Sequence, residues 1–186
     1  MANDTIKLFK DIAEKSVASF KNVGELNLRT FEALAAKQVE IVQNVFDLLE
    51  IESQNSRISL VFDKEYSSPV YVNADEERIL QVLTNLLVNS LKYGLEGGRT
   101  EIAIQELENQ KVLIRVMDTG EGIEKHHLPR LFERFYRVDP TRSRKKGGSG
   151  LGLSIVKHII EAHNENIYVE SEIGRGTTFS FTLDRL

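Results

Sequence analysis

The chain has 186 residues, a formal net charge of −4 at pH 7, 41% hydrophobic residues and no cysteine, which allows one globular domain of ordinary size plus a smaller element. The weak acidity gives no general reason to expect nucleic acid as a partner, and the lack of cysteine excludes disulfides and thiolate metal sites. Since the first residues lack the apolar core of a signal peptide and no run approaches the roughly 20 apolar residues of a membrane helix, we expect a cytoplasmic chain without a membrane segment.

Residues 1–53 show the spacing of paired amphipathic helices. Apolar residues recur there at alternating steps of three and four, which is a heptad pattern. The pattern includes Phe9, Phe20, Phe31, Val42 and Leu49. A glycine flanked by asparagines interrupts it, so we predict a hairpin of two helices, over about 4–22 and 27–53. A hairpin of this size buries too little apolar surface alone, and we expect it to form a homodimer as a four-helix bundle.

The polar stretch SQNS, 53–56, marks a predicted boundary to a second domain over 56–186. Its pattern is mixed, with helices predicted for 75–93 and 151–163. Strands are predicted for 58–62, 69–73, 100–107, 111–118, 166–171 and 177–183. Elements in this ratio favour an α+β fold with one mixed or antiparallel sheet and helices on one face.

The predicted helix over 75–93 carries a polar stripe. Asn85, Asn89 and Lys92 follow at i, i+4 and i+7, apart from the leucines that serve the core. The stripe is compatible with an ordinary solvated face. A carboxamide oxygen is, however, also a suitable hard ligand for Mg²⁺, which accompanies nucleotides while keeping several waters.

The segment DTGEGI, 118–123, follows a predicted strand. Aspartate and glycine are common in turns, so a simple turn is one interpretation. The functional interpretation is a buried carboxylate at Asp118 that accepts a hydrogen bond from an amino group. Gly120 and Gly122 would then let the backbone approach a flat ring.

The segment KKGGSGLGLSIVKHI, 145–159, places glycines in front of a predicted helix. Gly148, Gly150 and Gly152 leave room for an anion, and the first helical amides supply unpaired N–H donors and the positive end of the helix dipole. A flexible loop is the plainer interpretation. The Walker motif is absent, since no Gly-Lys-Ser/Thr follows the glycines. The Rossmann motif is also absent, since a run of basic residues and not a strand precedes them.

Five segments together resemble the catalytic ATP-binding domain of bacterial sensor histidine kinases. They match its conserved boxes in order and with suitable gaps. The segments are NLLVNSLKY (85–93), DTGEGI (118–123), LFERFYRVD (131–139), GSGLGL (148–153) and GRGTTF (174–179). The resemblance covers about 56–186 and implies the Bergerat-type α/β sandwich of the GHKL superfamily, with ATP or ADP and Mg²⁺ as ligands.

The resemblance also implies roles at the phosphate end of a nucleotide. Asn89 would bind Mg²⁺, with Asn85 beside it. Lys92 and Tyr93 would reach the phosphates, and Arg137 would face the γ-phosphate. Asn85, Lys92 and Arg137 are thus the candidate catalytic residues.

Further residues would bind the base or form the lid. Asp118 would accept the adenine amino group, with Thr177 near the base, while Phe132 and Phe135 would anchor a flexible lid. The other positions assigned to the nucleotide are Gly120, Gly122, Ile123, Gly148, Gly150, Leu151, Gly152 and Leu153. Asn164 stands where many relatives have glycine, and we expect asparagine to tolerate the left-handed conformation there.

The main departure from the family concerns the phosphoacceptor histidine. A complete kinase core carries it on its dimerisation hairpin, whereas this chain has four histidines, all in the ATP-binding part. They are His126, His127, His158 and His163. Residues 26–31 echo the acceptor box only faintly, with Leu26 in the place of histidine. Residues 4–45 resemble phasins, helical proteins that coat polyester granules, so we predict a fusion with a join near 42–47.

Three functions follow as alternatives. The first is the ATP-binding half of a histidine kinase, which could phosphorylate only a histidine supplied by another domain. In its native context, either membrane-anchored or cytosolic, it would act with a response regulator. The second is a water-directed ATPase, which is disfavoured because Asn85 replaces the glutamate that activates water. The third is a granule-coating or scaffold protein in which the helices carry the function.

Overall fold

The computed structural model describes residues 37–66, 69–139 and 149–186. Within these ranges the chain forms four α-helices, one 3₁₀-helix and five strands. In chain order they are α1 (Lys37–Leu48), α2 (Glu50–Ser56), β1 (Ser59–Phe62), α3 (Glu76–Tyr93), β2 (Arg99–Leu107), β3 (Lys111–Asp118), the 3₁₀-helix (Lys125–Arg130), α4 (Gly152–Ala162), β4 (Ile167–Glu172) and β5 (Gly176–Asp184). None of these helices is long and apolar enough to cross a lipid bilayer.

The strands form one mixed sheet in the order β1-β2-β3-β5-β4. β1 and β2 are parallel, and the other neighbours are antiparallel. Asp118 at the end of β3 lies opposite Thr177 at the start of β5. This register places the segment 118–123 beside the segment 174–179, although more than fifty residues separate them in the chain.

The helices pack on one face of the sheet around a single core. α3 begins at Asp75, whose carboxylate accepts the N–H of Arg78 at 3.1 Å, and glutamates fill its first turn, as the helix dipole favours. The largest fully buried side chains include Leu86, Leu87, Ile102, Ile160, Phe181 and Leu183. Burial of one such side chain stabilises the fold by roughly 1.5–3 kcal/mol. The predicted α/β sandwich is therefore confirmed, with helices where the 3.6-residue period placed them.

The predicted strand over 69–73 is wrong. In that segment only Val72 pairs, in an isolated bridge with Arg185 near the end of the chain. Pro69 has no N–H to contribute to a ladder, which limits pairing at the start of the segment. By contrast, the left-handed conformation expected at Asn164 is confirmed, with φ of 59°.

Helix α1 belongs to the same core as the sheet. Val42 and Leu49, which the heptad pattern assigned to a dimer seam, are 3% and 0% exposed within this one chain. The ring of Phe46 lies 5.2 Å from that of Phe62 on β1. The seam assignment is thus wrong for these two positions, because α3 and the sheet already cover them.

The described part of the predicted helix over 27–53 forms two helices instead of one. A turn at Leu49 separates α1 from α2, and Arg57, at φ of 53°, ends α2. The predicted helix over 4–22 and the hairpin turn lie outside the described residues, and the domain boundary near 53–56 stays a prediction.

The packing of the α1–α2 segment on the core can be tested by comparing Leu49, in the turn between the two helices, with Ile51 on α2. Leu49→Ala removes a fully buried side chain and is expected to lower the free energy of unfolding by about 2–5 kcal/mol. Ile51→Ala, at a position that is 69% exposed, should change it by less than about 0.5 kcal/mol. Urea denaturation of both variants measures the difference. Equal effects would show that the turn between α1 and α2 does not pack on the core.

Candidate functional site

All five motif segments meet at one cavity between α3, α4 and the ends of β3 and β5. Every residue that lines it belongs to one of the five. They are Asn89, Ser90, Lys92, Tyr93, Asp118, Glu121, Gly122, Ile123, Leu131, Tyr136, Arg137, Val138, Asp139, Gly150, Gly152, Leu153, Thr177 and Phe179. Segments far apart in sequence thus form one continuous wall.

Asp118 is held in place by backbone amides at one end of this cavity. Its Oδ1 accepts the N–H of Gly120 at 2.8 Å and that of Thr177 at 3.2 Å. Burial raises the pKa of the Asp118 carboxyl, and the two amide hydrogen bonds oppose that shift. Since both bonds end on Oδ1, Oδ2 is the oxygen that can accept a further hydrogen bond from a ligand.

The close approach of β3 and β5 depends on Gly176. Its φ is 118°, and a Cβ added there would lie 1.9 Å from the carbonyl oxygen of Asp118. Any side chain at this position would therefore force the two strands apart.

Ser171 on β4 connects the two segments that flank Asp118. Its Oγ accepts the N–H of Ile123 at 2.8 Å and donates to the carbonyl of Gly176 at 2.9 Å. The Thr177 hydroxyl lies 2.9 Å from the same oxygen. Because Ser171 has only one proton, which goes to Gly176, the Thr177 hydroxyl donates to Ser171. Sequence analysis missed this residue, which lies in an ordinary strand pattern.

The residues of the polar stripe on α3 face two different places, the cavity and the start of α4. Asn89, Lys92 and Tyr93 line the cavity. Asn85, one turn earlier, does not, and its Nδ2 donates to the carbonyl of Gln81 at 2.9 Å. Its Oδ1 faces the start of α4, since a Cβ on Gly152 would lie 3.1 Å from that oxygen.

The start of α4 opens on the cavity. Gly150, Gly152 and Leu153 line it, and Leu151 at the helix start makes no side-chain cap. Ser149 Oγ accepts the N–H of Leu151 at 3.3 Å, whereas Leu151 offers no cap to the N–H groups of the first turn, which suits an anion. Gly148, assigned to the same loop, lies outside the described residues.

The segment 131–139 forms the opposite wall. Phe132 is partly buried, with its ring 6.3 Å from that of Phe179 in an edge-on arrangement. Phe135 has a 70% exposed side chain, so the ring predicted as a lid anchor has no pocket here. The backbone of Phe135 makes the attachment instead, donating its N–H to Gly150 at 2.8 Å.

The cavity contains more residues than the sequence predicted, and a few predicted residues lie behind its wall. The added ones are Ser90, Glu121, Leu131, Tyr136, Val138, Asp139 and Phe179, all inside the motif segments. The predicted residues that do not line it are Asn85, Gly120, Phe132, Phe135 and Leu151. These five residues contact other residues of the wall and do not border the cavity.

Comparison with known proteins gives a family match over residues 74–186, to the family described as histidine kinase-, DNA gyrase B-, and HSP90-like ATPase. Sensor histidine kinase WalK of Bacillus subtilis is 47% identical over 115 residues, which are 61% of this chain and 19% of WalK. Sensor protein SrrB of Staphylococcus aureus is 39% identical over 151 residues, 80% of this chain and 26% of SrrB. The matched part is thus a small share of each relative.

Solved structures give the same picture. The catalytic domain of histidine kinase ThkA superposes with a TM-score of 0.68 at 29% identity, covering 80% of this chain and 93% of that one. Full-length ShkA, in complex with AMPPNP, gives a TM-score of 0.68 at 28% identity, covering 78% of this chain and 29% of ShkA. ThkA in complex with the response regulator TrrA gives 0.65 at 25% identity, covering 99% of this chain and 48% of that one.

The raised pKa of Asp118 predicts a dependence of stability on pH. The native carboxyl holds its proton more tightly than the unfolded one, whose pKa is 3.8. The stability that the protonated form contributes is therefore present below that value and is lost as the pH rises through the native pKa. Asp118→Asn keeps an oxygen for the two amides but cannot ionise, so its stability relative to the unaltered chain should rise over that range.

Urea denaturation of both proteins from about pH 3.5 to pH 7 measures this difference. A difference that stays constant with pH would mean that Asp118 does not titrate differently in the native and unfolded states.

Proposed function

Because the chain belongs to the family of histidine kinase-, DNA gyrase B- and HSP90-like ATPases, we propose that its cavity binds Mg-ATP for phosphoryl transfer to a histidine of another domain. Its matched part is the ATPase catalytic domain of histidine kinases. The observation that carries the proposal is that every cavity-lining residue belongs to one of the five motif segments.

The base of the nucleotide would lie at the Asp118 end of the cavity. Oδ2 of Asp118 can accept an N–H of the adenine amino group, and Thr177 lies beside it in register. Ile123, Leu153 and Phe179 supply apolar surface for a flat ring. Gly122 completes this end of the wall without a side chain.

The phosphates would lie between α3 and the start of α4. Lys92 and Arg137 bring positive side chains to the cavity, and α4 directs its first N–H groups there. Lys92, Tyr93 and Arg137 would bind the phosphate oxygens. Asn85, tied to Gln81, would hold the start of α4 in place through its contact with Gly152.

The residues present fit a magnesium ion. Asn89 brings a neutral, hard amide oxygen to the cavity. The described residues include no group of three His, Cys, Asp or Glu side chains that could hold a metal, so most ligands would be phosphate oxygens and water. When bound with the nucleotide, Mg²⁺ neutralises charge on the β- and γ-phosphate oxygens.

The γ-phosphoryl group would need a nucleophile from outside this domain. His163 has both ring nitrogens engaged, with Nε2 accepting the N–H of Asp75 at 3.1 Å and Nδ1 at 2.8 Å from the carbonyl of Ile159. His127 is bonded to Tyr136. Asn85 cannot serve as a base for water. None of the chain's four histidines lines the cavity. A separate phosphoacceptor domain is therefore a proposed partner, and the match to ThkA in complex with a response regulator supports a response regulator as a second one.

The part of the chain upstream of α1 adds a second set of proposals. Of the five residues named above for the heptad pattern, Phe9, Phe20 and Phe31 remain available to a dimer of the predicted helices, because Val42 and Leu49 are buried in the chain itself. The phasin-like character of residues 4–45 and the fusion near 42–47 remain predictions. The SrrB match, over 151 residues, and the ThkA–TrrA superposition, over 99% of this chain, both extend into these residues, and none of the relatives described above is a phasin.

Two substitutions should separate the ends of the proposed nucleotide site. Asn89→Ala removes the metal ligand and is expected to weaken Mg-ATP roughly ten- to a hundredfold while leaving adenosine unchanged. Asp118→Asn presents an amide N–H to the adenine amino group and should weaken Mg-ATP, ADP and adenosine alike. Isothermal titration calorimetry with these ligands checks both. Equal loss of Mg-ATP and adenosine in Asn89→Ala would make that residue structural.

The proposed need for an external histidine predicts chemical inactivity of the chain by itself. A positioned γ-phosphate is not transferred unless a nucleophile lies in line with it. Incubation with γ-labelled ATP should leave the chain unlabelled and release little phosphate, and Leu26→His should not change this. Label retained on the unaltered chain would overturn the idea of an external acceptor.

A further inference from the structure

His127 lies outside the cavity but contacts a residue that lines it. Its Nδ1 is 2.6 Å from the hydroxyl of Tyr136, a hydrogen bond that forms with either ring tautomer. The guanidinium of Arg130 lies 4.3 Å from the centre of the same tyrosine ring. Both residues belong to the 3₁₀-helix Lys125–Arg130, so this helix holds Tyr136 at its hydroxyl and on its ring face.

These contacts act at the point where the wall over the cavity is formed. Tyr136 and its neighbour Arg137 both line the cavity. The preceding residue, Phe135, donates its backbone N–H to Gly150 and is 70% exposed. Tyr136 is therefore a side-chain attachment of this part of the wall to the 3₁₀-helix.

The adjacent histidine differs in each of these respects. His126 faces solvent, with 66% of its side chain exposed, and pairs with Glu124 at 3.3 Å. The centre of its ring lies 3.8 Å from that of His127, with the two ring planes tilted by 40°. It has no contact with Tyr136 among those that the structure shows, so the two neighbouring histidines form a matched pair.

We propose that His127 is a positioning residue for the nucleotide, which rests on the proposed function of the cavity. By fixing Tyr136, it fixes the backbone that leads directly to Arg137 and so orders the cation before the phosphates arrive. A side chain that is already ordered does not have to lose its conformational freedom on binding, and this increases affinity. The base end of the cavity, around Asp118, does not depend on this contact.

The test compares the affinities of Mg-ATP and adenosine in four variants. His127→Phe keeps a ring but loses the nitrogen, and it should weaken Mg-ATP about three- to tenfold with little effect on adenosine. His127→Asn places a polar atom on the same Cγ as Nδ1 and should retain most of the affinity. His126→Phe should bind both ligands as the unaltered chain does. Tyr136→Phe should reproduce the loss seen in His127→Phe.

Combining the two phenylalanine substitutions distinguishes positioning from general damage. If His127 acts through Tyr136, the double variant His127→Phe/Tyr136→Phe should lose no more affinity than either single variant. Losses that multiply, equal losses of Mg-ATP and adenosine, or an equal loss in His126→Phe would overturn the inference. Failure of the unaltered chain to bind Mg-ATP would instead overturn the proposed function, and this inference with it.

Discussion

The pairing of β3 with β5 is the constraint on which the site depends. Asp118 and Thr177 stand opposite each other, and one amide from each strand's segment reaches the same carboxylate oxygen. That geometry requires the strands to be closer than a side chain at Gly176 would allow. The antiparallel register is set by the core side chains further along β5, especially Phe179, Phe181 and Leu183. The packing of the core therefore also fixes the position of the Asp118 carboxylate.

The rest of the cavity is built outward from this pair. Ser171 links the loop after β3 to the start of β5, and α3 and α4 close the other side where glycine at 152 lets the helix meet Asn85. The wall formed by 131–139 is attached through the buried side chain of Leu131, the contact of the Phe132 ring with Phe179, the backbone bond of Phe135 and the 3₁₀-helix. The two parts of the cavity therefore differ in what holds them, which is strand pairing at the Asp118 end and a 3₁₀-helix with loop contacts at the opposite wall.

Sequence reasoning was most reliable where a local rule determines the structure. The helical period of α3 and the left-handed conformation at Asn164 each depend on neighbouring residues, and both predictions are confirmed. The strand over 69–73 failed because Val70 and Val72 satisfy a strand pattern, whereas pairing depends on a partner that only the tertiary fold supplies. Val42 and Leu49 failed for a related reason, since a heptad pattern gives the apolar face of a helix and not the surface that covers it.

The motif segments give the location of the cavity, but they do not show which of their residues face into it and which face away. Asn85 and Phe135 are in the right segments yet turn away from the space, while Tyr136 and Phe179 turn toward it. Which side a residue faces in an irregular segment depends on positive φ values, such as that of Phe135, and on backbone contacts between distant loops. No periodicity in the sequence encodes these features.

The burial of α1 limits how this chain can be divided into modules. Val45 and Leu49 are fully enclosed by residues that come later in the sequence, and Phe46 meets a ring on β1. A domain truncated at the polar stretch 53–56 would expose to water the core residues that pack against α1. The domain that can be transferred between proteins therefore extends upstream through Ile41. Recombination between 42 and 47 would join two parental sequences inside one core, where each has to match the other's side-chain volumes. Exchange of upstream partners is thus restricted by packing along this helix.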